Sequence, residues 1–285
     1  MQQSTIFLMA CAASLHLSAQ PGTPLPKAPL QTQSPRESMQ DDPPTSDLER
    51  RMLEQSISSS VRFGAVKGNS ITAEIGLQNL SGKTITAYDV RVAARYADGD
   101  HTERGEIADL LVETALARMP GVSMPSSRGT LNPYETHRMQ VVLPLDKDGA
   151  PPSVVSATAA ALVFEDRTAI GRRSSIQLIM SGRKQTFDDD SYVVAAVQNA
   201  LSRPEVQAVS GKEQAVALRS ALGSQIAESK KTITAGDGAG AKRIYLLQAF
   251  YDMLANGRPG FDFMMSTYEV TQKALAEQSI LEVAK

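Results

Sequence analysis

The chain has 285 residues, of which 42% are hydrophobic and 21% charged, and its formal net charge is −2 at pH 7. This composition is that of an ordinary folded protein, and the length is sufficient for two domains with a core each. The nearly neutral charge argues against the large basic field through which proteins bind nucleic acid or anionic membranes.

Residues 1–19 have the features of a signal peptide. Residues 6–17 form a mostly apolar run, and Leu17-Ser18-Ala19 offers small residues for cleavage. Residues 1–5 carry no Lys or Arg, which departs from the usual signal. The run is shorter than the ~18 apolar residues of a membrane helix, and no later run is long enough. We therefore expect a secreted or periplasmic protein with no transmembrane segment after signal removal.

The single cysteine, Cys11, gives a second possibility for the N-terminus. Leu8-Met9-Ala10-Cys11 resembles a bacterial lipobox, which implies lipid anchoring through Cys11. If cleavage instead falls near Ala19, the mature chain has no cysteine. It then has no disulfide, no thiolate nucleophile and no Cys-ligated metal.

Residues 20–57 are predicted to be a proline-rich disordered tether. Seven of the 15 prolines lie between residues 20 and 47. Such a segment buries too little apolar surface to offset its chain entropy. At its end, residues 48–57 are predicted to form a short helix, because Leu48 and Met52, then Leu53 and Ile57, are i,i+4 pairs.

Residues 58–184 are predicted to form an all-β domain of the immunoglobulin-like sandwich type. Apolar and polar residues alternate strictly over residues 71–78 and again over 89–96, as in half-buried antiparallel strands. Similar alternation over 61–65, 139–145, 155–163 and 176–180 predicts four more strands. About seven strands at short spacing are typical of such a sandwich.

Residues 101–130 interrupt this regularity. Ile107, Leu110 and Leu111 fit the face of a helix, but the same stretch could hold a strand followed by a loop. Residues 119–127, with two Met-Pro pairs, are expected to be irregular. A long loop is a common place for binding determinants, so this segment is a candidate contact surface, with a purely structural excursion as the alternative.

Residues 187–285 are predicted to form a small α-helical bundle. Asp188-Asp189-Asp190-Ser191 has the composition of a helix N-cap and first turn. Apolar residues at helical spacing then predict four helices, centred near Val197, Leu222, Leu247 and Tyr268.

The usual catalytic and metal-binding motifs are absent from the sequence, and we expect no catalytic, cofactor-binding or metal-binding residues. A mature chain would keep His101 and His137, both in or beside predicted turns, as ordinary surface histidines. The stretch 236–243 lacks the Gly-Lys-Ser/Thr of a phosphate-binding loop. It is interpreted as a link in which Asp237 or Gly238 starts the third helix.

Several other residues suggest chemistry, but each has a structural interpretation that we prefer. The carboxylate clusters fall at predicted turns or caps, where Asp bonds the backbone. They are Asp98/Asp100, Asp146/Asp148, Glu165/Asp166 and Asp188/Asp189/Asp190. Asn79-Leu80-Ser81 matches a glycosylation acceptor and also a turn. Met119, Met124 and Met139 could be considered for copper, but Met fills cores and loops generally.

The β-region resembles small extracytoplasmic sandwich domains of the FxLYD type. The similarity rests on residues 79–85, on the Tyr96-Ala97-Asp98-Gly99 turn and on the turn at residues 131–136. In that last turn Tyr134 stands where the pattern has Gly. The resemblance covers about 110 residues, implies a fold and an extracytoplasmic location, and carries no catalytic residues.

Three function classes remain. The first is an exported, non-enzymatic module that binds an unknown protein or envelope polymer. The second is an envelope-polymer hydrolase whose carboxylates meet only in the fold. The third is a carrier that holds a small ligand or lipid in the apolar interior of the helices.

Overall fold

A computed structural model describes residues 46–117, 130–234, 236–256 and 258–278. The predicted signal, most of the tether and residues 118–129 lie outside this range. The described chain consists of antiparallel β-structure followed by helices, as the sequence predicted. The helix expected at the end of the tether is confirmed as α1, Asp47–Ser56, which begins with a capping box between Ser46 and Glu49.

Within the described residues, seven strands form two antiparallel sheets. The strands are β1 (Ile57–Lys67), β2 (Ser70–Asn79), β3 (Ile85–Arg95), β4 (His101–Asp109), β5 (Thr136–Pro144), β6 (Val154–Phe164) and β7 (Ala169–Gly171). The three-stranded sheet has the order β1-β2-β5, and the four-stranded sheet has the order β4-β3-β6-β7. The segment after residue 101 combines both expectations, because β4 is followed by helix α2 (Leu110–Ala117).

One hydrophobic core takes side chains from both sheets. The alternating residues that predicted β2 and β3 are the buried ones, among them Ile75 and Leu77 on β2 and Val90 and Val92 on β3. The opposite row of β2 is only half buried. Period-two alternation therefore identified the rows that face this core. On β3 the opposite row is not all in water, because Ala87 and Asp89 are also buried.

The turn before β5 contains Tyr134 with φ +66°, a left-handed conformation that L residues with a side chain adopt rarely. The Tyr134 backbone N–H donates to Asn79 O at 2.7 Å, which holds the turn against the end of β2. The FxLYD-type pattern that this turn resembles has Gly at this position. The structure gives the physical reason, because only Gly adopts this φ without a steric cost.

Replacing Tyr134 with Gly should stabilise the protein by about 0.5–1 kcal/mol, since relief of the left-handed strain exceeds the entropy that Gly loses on folding. The side chain is 72% exposed, so little packing is lost. Urea unfolding measures the change, and Tyr134→Ala, which keeps a Cβ, is the matched control. Equal stability of the Gly and Ala variants would contradict the backbone explanation.

The predicted strand over residues 176–180 is wrong, because these residues belong to α3, Arg173–Leu201. Ile176, Ile179 and Arg183 are buried and follow helical spacing, whereas Leu178 is 45% exposed. Gly171 makes the turn into this helix possible. Its φ is +113°, and a Cβ there would overlap Ala160 O.

The remaining helices are α4 (Pro204–Gln207), α5 (Gly211–Thr232), α6 (Gly238–Met253) and α7 (Arg258–Gln278), with a 3-10 turn at Leu254–Asn256. The second half of α3 shares a core with them that includes Val193, Leu222, Phe250 and Phe261. The first half of α3 packs instead on the outer side of the four-stranded sheet, through Ile176 and Ile179. One 29-residue helix thus contributes to both parts of the protein.

Candidate functional site

The largest group of buried polar side chains lies between the four-stranded sheet and the first half of α3. We call it the interface cluster. Strands β3 and β4 and helix α3 provide its members, which are Thr86, Asp89, Arg91, Asp109, Ser175 and Arg183. Buried polar groups cost free energy unless they are paired, so their partners decide what the cluster can do.

Arg183 lies at the centre of one half of the interface cluster and is 2% exposed. Its Nε donates to Asp109 Oδ2 at 2.6 Å, and its Nη2 donates to Asp109 Oδ1 at 3.3 Å. Nη2 also donates to Thr86 Oγ1 at 3.0 Å, and Thr86 in turn donates to Val163 O at 3.2 Å. The forked guanidinium therefore ties α3 to β4 and β3 directly, and the Thr86 hydroxyl extends the network to β6.

Asp89 is the centre of the other half and is fully buried. Ser175, in the first turn of α3, donates its hydroxyl to Asp89 Oδ2 at 2.6 Å. Arg91 Nη2 donates to the same oxygen at 3.1 Å. The Arg91 guanidinium lies over Gly105 of β4, where a Cβ would come within 2.9 Å of Arg91 Nη1. Gly105 thus leaves room for the cation that neutralises Asp89.

Two further carboxyl groups next to the interface cluster have perturbed acidities. Burial raises the pKa of Glu106 on β4, Arg104 opposes the shift and Asp89 adds to it. Burial raises the pKa of Glu113 on α2 to about 7, and the charge of Asp109 adds to the shift. Both groups are held closer to their neutral form because the site is short of solvent and already carries two carboxylates.

The geometry of the interface cluster favours joining elements over catalysis. Ser175 and Asp89 form a hydroxyl–carboxylate pair, but a nucleophilic serine needs a base that accepts its proton and a reacting atom close by. Ser175 is 2% exposed and Asp89 is 0% exposed, so a substrate cannot reach the hydroxyl in this conformation. What the cluster does is fix the direction of α3 on the sheet.

A second polar group, which we call the helix cluster, joins α3 to α6. Asp189 Oδ1 accepts from Arg243 Nε at 2.9 Å and from Gln185 Nε2 at 3.0 Å, and Lys242 Nζ lies 2.9 Å from Oδ2. Burial alone would raise the pKa of Asp189. The hydrogen bonds from Lys242, Gln185 and Arg243 outweigh it, and the pKa lies below its usual value.

Asp190 lies next to the helix cluster but lacks the hydrogen bonds that Asp189 receives. It is 8% exposed, and no hydrogen bond to it is seen within the described residues. Burial raises the pKa of Asp190 to about 7, Lys242 opposes the shift and Asp189 adds to it. Its charge also faces Tyr268 on α7, whose pKa is raised by burial and then by Asp190.

Replacing Asp190 with Asn should change how stability depends on pH. The free energy of unfolding of the variant minus that of wild type should be about 2–4 kcal/mol larger at pH 8 than at pH 4. A carboxyl whose folded pKa lies above its unfolded value stabilises the fold at low pH, and this contribution is lost as the pH rises from about 4 through about 7. Urea unfolding of both proteins from pH 4 to pH 8 measures the effect. Asp188→Asn, on the exposed side of the same turn, is the control, and a parallel pH dependence in wild type and Asp190→Asn would contradict the assignment.

The predicted N-cap at Asp188-Asp189-Asp190 is wrong, because these residues lie in the interior of α3. The sequence pattern was misleading since charges from α6, distant in sequence, neutralise Asp189. The other carboxylate clusters lie in turns, as predicted. Asp98, Asp146 and Asp166 each accept a backbone N–H two residues ahead.

The stretch 236–243 is the start of a helix, as predicted. The Asp237 side chain accepts the Gly240 N–H at 2.8 Å and caps α6. Lys242 and Arg243, the two basic residues of the stretch, pair with Asp189 in the helix cluster. Nothing in this geometry places their charges at the α6 N-terminus to receive a phosphate.

The two histidines lie on different strands. His101 begins β4 and is exposed, and His137 is on β5. The His137 Nδ1 lies 3.4 Å from the Tyr88 hydroxyl, and burial lowers the pKa of His137. In the part of the chain that the structure describes, no three His, Cys, Asp or Glu side chains are grouped for a metal. Met139 is half buried against the core, and Met119 and Met124 lie outside the described residues.

Asn79 is the residue for which the sequence allowed two interpretations, a turn residue or a glycosylation acceptor. It is fully buried, and its Nδ2 donates to Lys83 O and to Leu131 O, each at 2.8 Å. Its Oδ1 accepts from the Ser81 backbone N–H at 2.9 Å and from the Ser81 hydroxyl at 2.7 Å. The amide nitrogen is therefore inaccessible in the folded protein, which favours the turn.

Comparisons with known proteins assign no family. No family model matches the chain, and no curated protein matches it. A solved structure, the X-ray structure of Northeast Structural Genomics Consortium target SoR45, matches with 15% identity and a TM-score of 0.28 over 40% of this chain and 78% of that one. A likeness of this size carries no argument about fold or function. Within the described segments, no helix has the length and apolar character to cross a membrane.

Proposed function

We propose that the protein is an exported, non-enzymatic interaction module that presents an immunoglobulin-like β-sandwich and a helical bundle as one unit. The observation that carries the proposal is the shared helix. α3 packs on the four-stranded sheet through Ile176 and Ile179 and enters the helical core through Val193 and Val197. A continuous helix fixed by buried charge pairs gives a binding platform a defined shape, which lowers the entropy cost of association.

The sandwich assignment draws support from the way the core is built. Strands of the two sheets alternate inward and outward, and the inward rows share one hydrophobic core. The FxLYD-type resemblance, carried by residues 79–85 and the turns near Asp98 and Tyr134, agrees with this arrangement.

The outward rows supply surfaces for a partner. On β5 the outward residues Thr136, Arg138, Gln140 and Val142 are exposed, and no described helix packs against the three-stranded sheet beyond the end of β1. The partner that we propose is a protein or an envelope polymer.

The hydrolase alternative draws less support from the site. Two catalytic carboxyl groups must face a substrate across an open cleft. The carboxylates that this fold brings together, such as Asp89 and Asp109 in the interface cluster, are instead closed in by α3 and bonded to cations.

Site-specific photo-crosslinking in the native host tests the interaction proposal. A crosslinker is introduced at Val142, on the outward row of β5, and at Val216, which is 70% exposed on α5. We expect a discrete adduct at one of these positions that is absent at the other. Identical adduct patterns at both positions, in proportion to protein abundance, would contradict a specific partner surface.

Fractionation of the same host tests export. The full chain should be found outside the cytoplasm, and deletion of residues 1–19 should leave it in the cytosol. A Cys11→Ser variant distinguishes the two forms of export, since only the lipid-anchored form would lose its membrane association. A full-length chain retained in the cytosol would contradict the proposal.

A further inference from the structure

We infer that the groove between α5 and α6 binds an amphipathic carboxylate, and this site is separate from the proposed partner surface. The groove has a volume of about 280 Å³ and is lined by Gly223, Ile226, Ala227, Lys230, Gln248 and Tyr251. This volume is near the lower end of small-molecule sites, which begin at about 300 Å³.

The shape of the groove follows from small residues on α5 and an aromatic ring on α6. Gly223 and Ala227 are one helical turn apart, and the absence of a side chain at Gly223 lets the Tyr251 ring approach the α5 backbone. A Cβ at Gly223 would lie 3.2 Å from Tyr251 Cε2, so the tyrosine ring lies directly against this helix. Ile226, 4% exposed, contributes an apolar floor. The groove can therefore hold an aliphatic segment of a ligand.

The charge of the groove indicates the head group. Lys230 lies in the lining and has no carboxylate partner in the described chain, whereas its neighbour Lys231 is paired with Glu228 at 3.1 Å. Arg219 stacks on Tyr251, with its Cζ 4.4 Å from the ring centroid, and also has no acidic partner among the described residues. Asp252 on α6 accepts a hydrogen bond from Gln248 and is not one of the lining residues. An anion is thus the complementary occupant.

The lining sets the length of the occupant. Gly223 and Lys230 are seven positions apart on α5, which corresponds to about 10 Å along the helix axis. A chain of medium length can place its carboxylate at Lys230 and lie along Ala227 and Gly223 toward Tyr251. Arg219 holds the ring in place by a cation–π contact.

Titration of the ¹⁵N-labelled full chain with decanoate tests this inference, with amide shifts as the readout. We expect saturable shifts confined to α5 and α6 with a Kd below about 1 mM, which requires only about −4 kcal/mol of binding free energy. Decanol, which has the same chain without the charge, should bind at least fivefold more weakly.

Variants identify the groove. Lys230→Gln should weaken decanoate binding at least fivefold, and Ala227→Leu should abolish it because the larger side chain fills the groove. Ser224→Leu is the matched control on the same helix, since Ser224 is exposed and not part of the lining. Absence of saturable binding, binding unchanged in both Lys230→Gln and Ala227→Leu, or equal binding of decanol would overturn the inference.

Discussion

Replacing Arg183 with methionine should lower the free energy of unfolding by about 3–5 kcal/mol, the range measured when one partner of a buried ion pair is removed. Methionine fills much of the same volume but leaves the Asp109 carboxylate without the guanidinium that binds both of its oxygens. The Thr86 hydroxyl also loses its donor. Urea unfolding at pH 7 measures the loss.

The adjacent residue provides the control for Arg183. Lys184 is 75% exposed and pairs with Asp188 on the surface, so Lys184→Met should cost less than about 1 kcal/mol. Adding Asp109→Asn to Arg183→Met should recover part of the loss, since it removes the uncompensated charge while Oδ1 still accepts the Leu111 N–H. Additive effects of the two substitutions would show that the pair is not coupled.

Replacing Asn79 with Asp should cost about 3–5 kcal/mol at pH 7, because each buried acceptor left unsatisfied costs about 1–3 kcal/mol and a charge is buried besides. The substitution keeps the shape of the side chain but replaces its Nδ2 group with an oxygen. Nδ2 donates to Lys83 O and Leu131 O, whereas a carboxylate oxygen can only accept. One of these bonds closes the turn that joins β2 to β3, and the other ties that turn to Leu131 in the segment before β5.

Proton binding gives the Asn79→Asp prediction a second readout. A carboxyl in this site would have a raised pKa, so the variant should be least destabilised below the unfolded pKa and lose stability as the pH rises. Gln78→Glu, the neighbour on the half-buried outward row of β2, is the control and should cost less than about 1 kcal/mol. A loss that is equal at pH 4 and pH 8 would contradict the charge explanation.

The β-region could be predicted from the sequence because its strands carry local signals. Alternation over residues 71–78 identified β2 and its buried row. Alternation over 155–163 identified β6, but the row changes face after Ala159, because Ala161 and Val163 pack with the first half of α3. The Asp98-Gly99 turn marked the end of β3, and the Asn132-Pro133 turn marked the start of β5. The helices α5, α6 and α7 were found for the same reason, since their apolar residues repeat with the helical period.

Local signals failed where the two parts of the protein meet. Ile176, Leu178 and Met180 alternate as in a strand, but Ile179 and Arg183 complete a helical face that only the sheet beneath it reveals. The acidic run at Asp189 resembled an N-cap because its partners, Lys242 and Arg243, are more than fifty residues away.

The interface cluster was missed for a related reason. Apart from the bond between Arg91 and Asp89, its hydrogen bonds join residues separated by 74 to 97 positions, as between Arg183 and Asp109 or Thr86. A single sequence contains no measure of such pairing. The neighbours of Arg183 in sequence, Gly182 and Lys184, are not apolar, so nothing local marks this arginine as buried.

Native-state hydrogen exchange tests most directly the claim that α3 joins the sheets and the helices into one unit. We predict that amides of β3, of α3 near Ile179 and of α3 near Val197 exchange with the same opening free energy, and that Arg183→Met lowers all three together. Protected strands combined with an α3 that opens separately, or with helices that exchange at a much lower free energy than the sheets, would contradict the account.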